Sequence, residues 1–144
     1  QAEVRMLQTF TDVAAVPGEV GIEIEVENRN IQTLRVSEEV AWFDFDTICG
    51  GPRGQADYIE LSRRFHTVLV SHVPCFRREN DNQRRRFTWL VDEFYDRRVK
   101  LVVSAETDVT SLFVQALDGP ERERTESRLI EMQTRQYLSQ PHLP

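Results

Sequence analysis

The sequence predicts an α/β fold: an N-terminal β-hairpin or meander, tandem helix–strand units forming a small parallel or mixed sheet, and a C-terminal helix. Three observations predict it. A helix-like stretch runs into an apolar strand twice in tandem, QADYIELSRRF with HTVLVSHVP and then QRRRFTWLVDEFYDRR with VKLVVSA. Ile22, Ile24 and Val26 alternate strictly with Glu23, Glu25 and Glu27, the pattern of a half-buried strand. A polar helical pattern begins after the breaker Gly119-Pro120. Residues 1–48 read as a β-rich segment and 49–144 as an α/β segment of one domain. Tandem units of this kind commonly hold phosphate at strand ends. Yet no glycine loop of the form GxxxxGK followed by Ser or Thr occurs.

The elements follow in order. Gln1 to Asp12 reads as a helix with Val4, Met6, Leu7 and Phe10 as its apolar set. Pro17-Gly18 marks a turn. Asn28-Arg29-Asn30 offers turn chemistry, and Ile31 to Val36 returns as the second arm of the hairpin. Val40 to Phe45 is a third strand. The turn CGGPRG at 49–54 opens a helix carrying Tyr58, Leu61 and Phe65 at helical spacing. His66 to Val73 is a strand that Pro74 ends, because proline has no N–H for the ladder. Its nearly continuous apolar run predicts burial on both faces. Asn80 or Asp81 caps the next helix. There Phe87, Leu90, Val91, Phe94 and Tyr95 form a complete core-facing stripe. Leu101 to Val103 is the following strand. Asp108 caps a short helical turn through Leu112 and Phe113. The final helix spans Glu121 to Leu138, with Leu129, Ile130, Met132, Tyr137 and Leu138 apolar and Glu131–Arg135 an i,i+4 pair. The last residues, QPHLP, read as frayed.

Composition is ordinary globular, with 40% hydrophobic and 29% charged residues. A net charge of -6 argues against a general nucleic-acid binder, whose affinity comes from neutralising phosphates. No transmembrane run is present. Cys49 and Cys75 form no CxxC pair and predict reduced thiols in a cytoplasmic protein. The chain opens with QAEVRML and no initiator methionine, which predicts a piece of something longer. Lys100 is the only lysine; every other basic residue is arginine, the side chain suited to bidentate anion recognition.

Candidate chemistry therefore centres on arginine. CGGPRG offers a backbone nest for an anion with Arg53 as a second contact, although a plain strand-to-helix turn explains its glycines better. Arg84, Arg85 and Arg86 follow Arg77 and Arg78, and five arginines so close suit phosphate, nucleic acid or an acidic partner. The alternative is a solvated helix start diluted by Glu79 and Asp81, but cations sit badly at a helix N-terminus. Arg124 and Arg128 share a face of the last helix, where unpaired like charges repel. An anion between them relieves this, and so would Glu121, Glu123 or Glu131. His66 and His72 flank one strand about 20 Å apart, too far to share a metal. Asp92 and Glu93, adjacent on a helix, do not face each other. No metal, hydrolase or acid–base constellation appears.

From about Val20 to Leu138 the sequence resembles the C-terminal part of the ZapE cell-division ATPases of bacteria, a family that includes the mitochondrial AFG-one-like ATPases. Three blocks in order carry the resemblance: FDFDTICGGPRGQADYIELSRRFHTVLVSHVP, RRFTWLVDEFYDRRVKLVVSAE and ERTESRLIEMQTRQYL. The resemblance implies an AAA+-like P-loop ATPase that binds ATP and Mg2+ in its full length. The phosphate-binding loop, the acidic motif for Mg2+ and the sensor asparagine would lie upstream of this region. Such an enzyme needs an arginine from its later region to sense the γ-phosphate. By position in the blocks, Arg124 and Arg128 come first, Arg85 and Arg86 second, and Arg53 third. The chain alone would hold no catalytic residue, no metal and no nucleotide tighter than about millimolar, which is only about -4 kcal/mol of binding free energy. Rings are common among AAA+ enzymes, so a homo-oligomer is among the implied partners. Three departures stand out: His72 replaces a usual aspartate, Arg84 a common alanine and Glu123 a common aromatic, the last two reading as surface drift. The competing reading is a protein-interaction module that meets a division or quality-control partner through the Arg77–Arg86 face or the β-hairpin.

Overall fold

The computed structural model describes residues 2–108, 111–113, 119–134 and 141–143. Helix α1 (Ala2–Ala14) leads into the short strand β1 (Glu19–Val20) and the hairpin β2 (Glu23–Val26) and β3 (Arg29–Gln32). Strands β4 (Arg35–Val36) and β5 (Val40–Asp44) follow, then the five-residue helix α2 (Phe45–Cys49) and helix α3 (Gln55–Arg64). Strand β6 (Thr67–Val73), a 3-10 turn at Arg78–Asn80, helix α4 (Asp81–Asp96), strand β7 (Lys100–Ala105) and helix α5 (Pro120–Glu131) complete the described elements.

The main sheet has the order β1-β4-β5-β6-β7, with the β2-β3 hairpin as a separate ladder. β5, β6 and β7 run parallel, while β1 and β4 join antiparallel. The sheet is thus mixed, and its parallel part is what the tandem helix–strand units predict. Alternate residues of β5 and β6 enter two cores. Ala41, Phe43, Val68 and Val70 join the larger core with α3 and α4. Val40, Trp42 and Leu69 meet Met6 and Phe10 of α1 on the other face. That double burial explains the uninterrupted apolar run of β6. The α4 stripe is buried at Phe87, Leu90, Val91 and Phe94, each side chain contributing roughly 1.5–3 kcal/mol. Phe87 meets Phe45, Phe76 and Phe113 at centroid distances of 6.0, 5.6 and 6.4 Å.

Several local expectations are corrected. The hairpin turn lies at Glu27-Asn28, one residue early, because the ladder pairs Val26 with Arg29. Both turn residues have positive φ, as a two-residue turn of the primed type requires. This register sets Ile24 opposite Ile31, so the apolar face stays together. The second arm is not one strand: β3 ends at Gln32, and β4 leaves to pair with β1 and β5. The third strand stops at Asp44, whose Oδ2 accepts from the Asp46 N–H and starts α2. In α1, Met6 and Phe10 are buried, but Val4 is 63% exposed and Leu7 39%. Ile130 of α5 is likewise half exposed. Tyr137, Leu138 and Arg135 lie outside the described residues. Gly18 has φ +71, and a Cβ there would stand 2.8 Å from the Val36 carbonyl oxygen, so only glycine fits the turn after α1.

Arg84 is the plainest correction. It is 7% exposed rather than surface drift. Its Nε donates to Asp81 Oδ1 at 2.7 Å and its Nη1 to Glu121 Oε1 at 3.0 Å. These two acids answer the objection to a cation in the first turns of a helix.

Candidate arginine site between two helices

Helices α4 and α5 lie side by side, with Thr125 and Leu129 of α5 fully buried. The seam leaves Asp92 of α4 facing the arginines of α5. Arg128 Nη1 donates to Asp92 Oδ1 at 2.5 Å, and Arg124 Nη2 to Asp92 Oδ2 at 3.4 Å. The Arg128 guanidinium also stacks over the Tyr95 ring, 4.9 Å from its centroid. The Tyr95 hydroxyl donates to Glu131 Oε1 at 2.7 Å, and that bond raises the phenol pKa. Asp92 thus relieves the Arg124–Arg128 repulsion that the helical spacing imposes. None of Glu121, Glu123 and Glu131 does so. Glu121 holds Arg84, and Glu131 takes Tyr95.

At this seam Asp92 is the direct carboxylate partner of both arginines, with Glu131 bound to the adjoining Tyr95. Two permanent cations face one carboxylate, and the Arg124 side chain is 52% exposed. Its outward donors are free to solvent, in a fork that fits carboxylate or phosphate oxygens. Arg128 is more enclosed, at 26%.

The other candidates sit apart from this seam. The Arg85 side chain is about half exposed, 3.5 Å from Asp81 Oδ2. Burial works against the Arg84 charge, but its bonds to Asp81 and Glu121 outweigh that and raise its pKa further. Arg86 Nη1 donates to the Cys49 carbonyl at 3.2 Å. Arg53 belongs to the junction of hairpin and turn. Its Nη2 donates to the Asn30 carbonyl at 3.1 Å, while Nε and Nη1 are buried without a hydrogen bond. Nη1 lies 3.7 Å from Asp57 Oδ1. Asp57 accepts Arg29 through both oxygens at 3.0 and 2.9 Å and the Gly54 N–H at 2.8 Å. Arg29 donates as well to the Pro52 carbonyl. The CGGPRG turn is therefore tied to the hairpin through Pro52 and Arg53.

Sequence reasoning missed Asp92 and Asp57 as the acids that organise these arginines. Asp92 sat on the page as a polar residue within the α4 stripe, between Val91 and Tyr95, but its partners are 32 and 36 residues away. His72 also gains a partner. The regular alternation of β6 breaks between Val70 and Val73, where His72 adopts φ +65 and its Nδ1 meets Asp44 Oδ1 at 2.7 Å. The bulge removes the simple same-side relation with His66, which bonds Thr67. Both cysteines are free, and burial pushes the Cys49 thiol up to about 12. Among the described residues no three His, Cys, Asp or Glu converge to hold a metal ion. Among them, too, no helix is long and apolar enough to cross a membrane.

Fold and seam together define a mixed α/β domain with parallel strands, flanking helices and an arginine face. The chain belongs to the AFG1-like ATPase family, whose family model matches residues 1–141. It is 43% identical over 120 residues to the cell division protein ZapE of Escherichia coli, covering 83% of this chain and 32% of that protein. Lactation elevated protein 1 homolog B of Danio rerio is 33% identical over 109 residues, covering 76% and 22%. An uncharacterized protein of Schizosaccharomyces pombe is 37% identical over 94 residues, covering 65% and 21%. The chain thus spans a third or less of the curated relatives it matches. No solved structure matches it.

Proposed function

We propose that this chain is the C-terminal region of an AAA+-like P-loop ATPase, and that Arg128 with Arg124 senses the γ-phosphate of its nucleotide. One observation carries the reading: two arginines share a single carboxylate, and Arg124 keeps half its side chain in solvent. Family membership supports ATP as the nucleotide, with Mg2+ beside its phosphates. The sequence has no phosphate-binding loop, and the described residues offer no cluster of metal ligands. The phosphates and Mg2+ would therefore be gripped by residues outside this chain. Within it, residues 1–48 and 49–144 act as one domain, and the buried apolar faces of the tandem units hold the α4–α5 seam in place. The similarity to ZapE supports a role linked to cell division, and we place the protein in the cytoplasm.

The test is steady-state ATP turnover in a longer protein that carries both this region and the phosphate loop. Arg128→Ala should lower turnover by about 10²–10³, the scale of losing one preorganised donor to a developing charge. Arg124→Ala should lower it less, and both variants should melt as the parent does. Unchanged turnover in both variants sinks the assignment.

A further inference from the structure

The β1 edge of the sheet presents a different surface. A groove of about 720 Å³ lies between β1, the hairpin and the end of α3, lined by Val16, Ile22, Ile24, Val36 and Phe65. Val16 and Ile22 in its lining are 49% and 37% exposed, and Val20 of β1 beside it is 66% exposed. β1 pairs only with β4, so its outer N–H and C=O groups are unpaired in the sheet among the described residues.

Charge around the groove is mostly negative, two glutamates against one lining cation, Arg64. Glu19 and Glu38 line it, and among the described residues neither is in an ion pair with a cation. Glu23 and Glu25 stand exposed on the adjacent strand β2. The nearby arginines are already committed. Arg64 Nη1 donates to the Glu25 carbonyl at 2.6 Å and pairs with Glu60, and Arg35 Nη1 donates to the Pro17 carbonyl at 2.7 Å.

We propose that this groove docks an extended, basic segment of a partner protein. One large apolar side chain seats among Val16, Ile22 and Phe65, lysine or arginine faces Glu19 and Glu38, and the segment's backbone pairs with the β1 edge. An acidic segment is repelled by the same glutamates. This site stands on the hairpin side of the interaction reading and does not depend on the phosphate role of Arg124 and Arg128, so either can fail alone.

The experiment uses the 144-residue chain and a fluorescein-labelled peptide, KKVFVKK, read by fluorescence polarisation. Binding should weaken about tenfold when Glu19→Lys and Glu38→Lys are combined, and should fall as salt rises, since exposed pairs are screened. The peptides KKVAVKK and EEVFVEE should bind far more weakly than the parent peptide. Ile22→Ser, at a partly exposed position, should weaken binding with the thermal melt unchanged. If the charge-reversed protein melts early, Glu38→Gln and the peptide KKVAVKK decide instead, the latter leaving the protein untouched. Equal binding of KKVFVKK and KKVAVKK, or full binding to the charge-reversed but folded protein, overturns the proposal. So does self-association of the chain alone that the same charge reversal abolishes, which would assign the groove to a second copy.

Discussion

Asp57 and Asp92 each hold two arginines, one at the hairpin–turn junction and the other between α4 and α5. The Asp57 side chain is 3% exposed, Arg53 beside it 11%, and both Asp57 oxygens accept from Arg29 Nη2 while one also accepts the Gly54 N–H. The Asp92 side chain is 23% exposed and its outer arginine 52%. The residue types are the same, and solvent separates their roles. A buried carboxylate must satisfy its cations, because an unpaired charge there is costly. A half-buried one such as Asp92 leaves its outer cation, Arg124, half in solvent, where an anion can reach it.

Removing the two acids tests that contrast most strongly. Asp57→Ala strands the enclosed Arg53 and should cost about 3–5 kcal/mol in urea denaturation, whereas Asp92→Ala should cost no more than about 1 kcal/mol. Equal losses would break the comparison. A smaller effect concerns anions. Asp92→Asn removes the competing charge while keeping the shape, and should raise the affinity of the chain for pyrophosphate about fivefold, near 1 kcal/mol. Asp57→Asn should give no such gain by calorimetry; a gain there would move the anion site to the CGGPRG turn.

The smallest effect is a pH dependence at Asp81. The hydrogen bond from Arg84 holds its carboxyl below the usual 3.8, with burial opposing. A carboxyl depressed in the folded state adds stability that is complete above its unfolded value and is lost as pH falls through the folded one. Asp81→Asn should therefore lower the urea midpoint slightly at about pH 7, where the contribution is complete, and the gap to the parent should close as pH falls below about 4. A steeper fall in the variant would contradict the assignment.

Much of the fold was legible because it is periodic. The α4 stripe and the apolar run of β6 each report their own burial through spacing alone. Even Pro74 stands where β6 ends, for a reason local to proline. Legibility failed where one residue had two local options. Asp44 starts α2 where the apolar pattern still read as strand, and the hairpin turn shifted by one residue because Ile24 and Ile31 must meet. In the candidate site, the pairing of Arg124 with Arg128 on one face was visible from helical spacing. The acid between them was not, since nothing near Asp92 in the chain marks it as their partner.

The sequence by itself determined the tandem α/β units, the arginine-only anion chemistry and the family resemblance, because these rest on spacing and side-chain type within short windows. Only the tertiary structure decided that Asp92 rather than a glutamate of α5 holds Arg124 and Arg128. It likewise placed Arg84 inside, Arg53 at a closed junction and the acidic groove at the β1 edge. The physical reason is that such meetings depend on packing. The partners of Asp92 and the Arg84–Glu121 pair lie more than 30 residues apart in sequence, those of Arg53 up to 23, and burial sets what each meeting is worth.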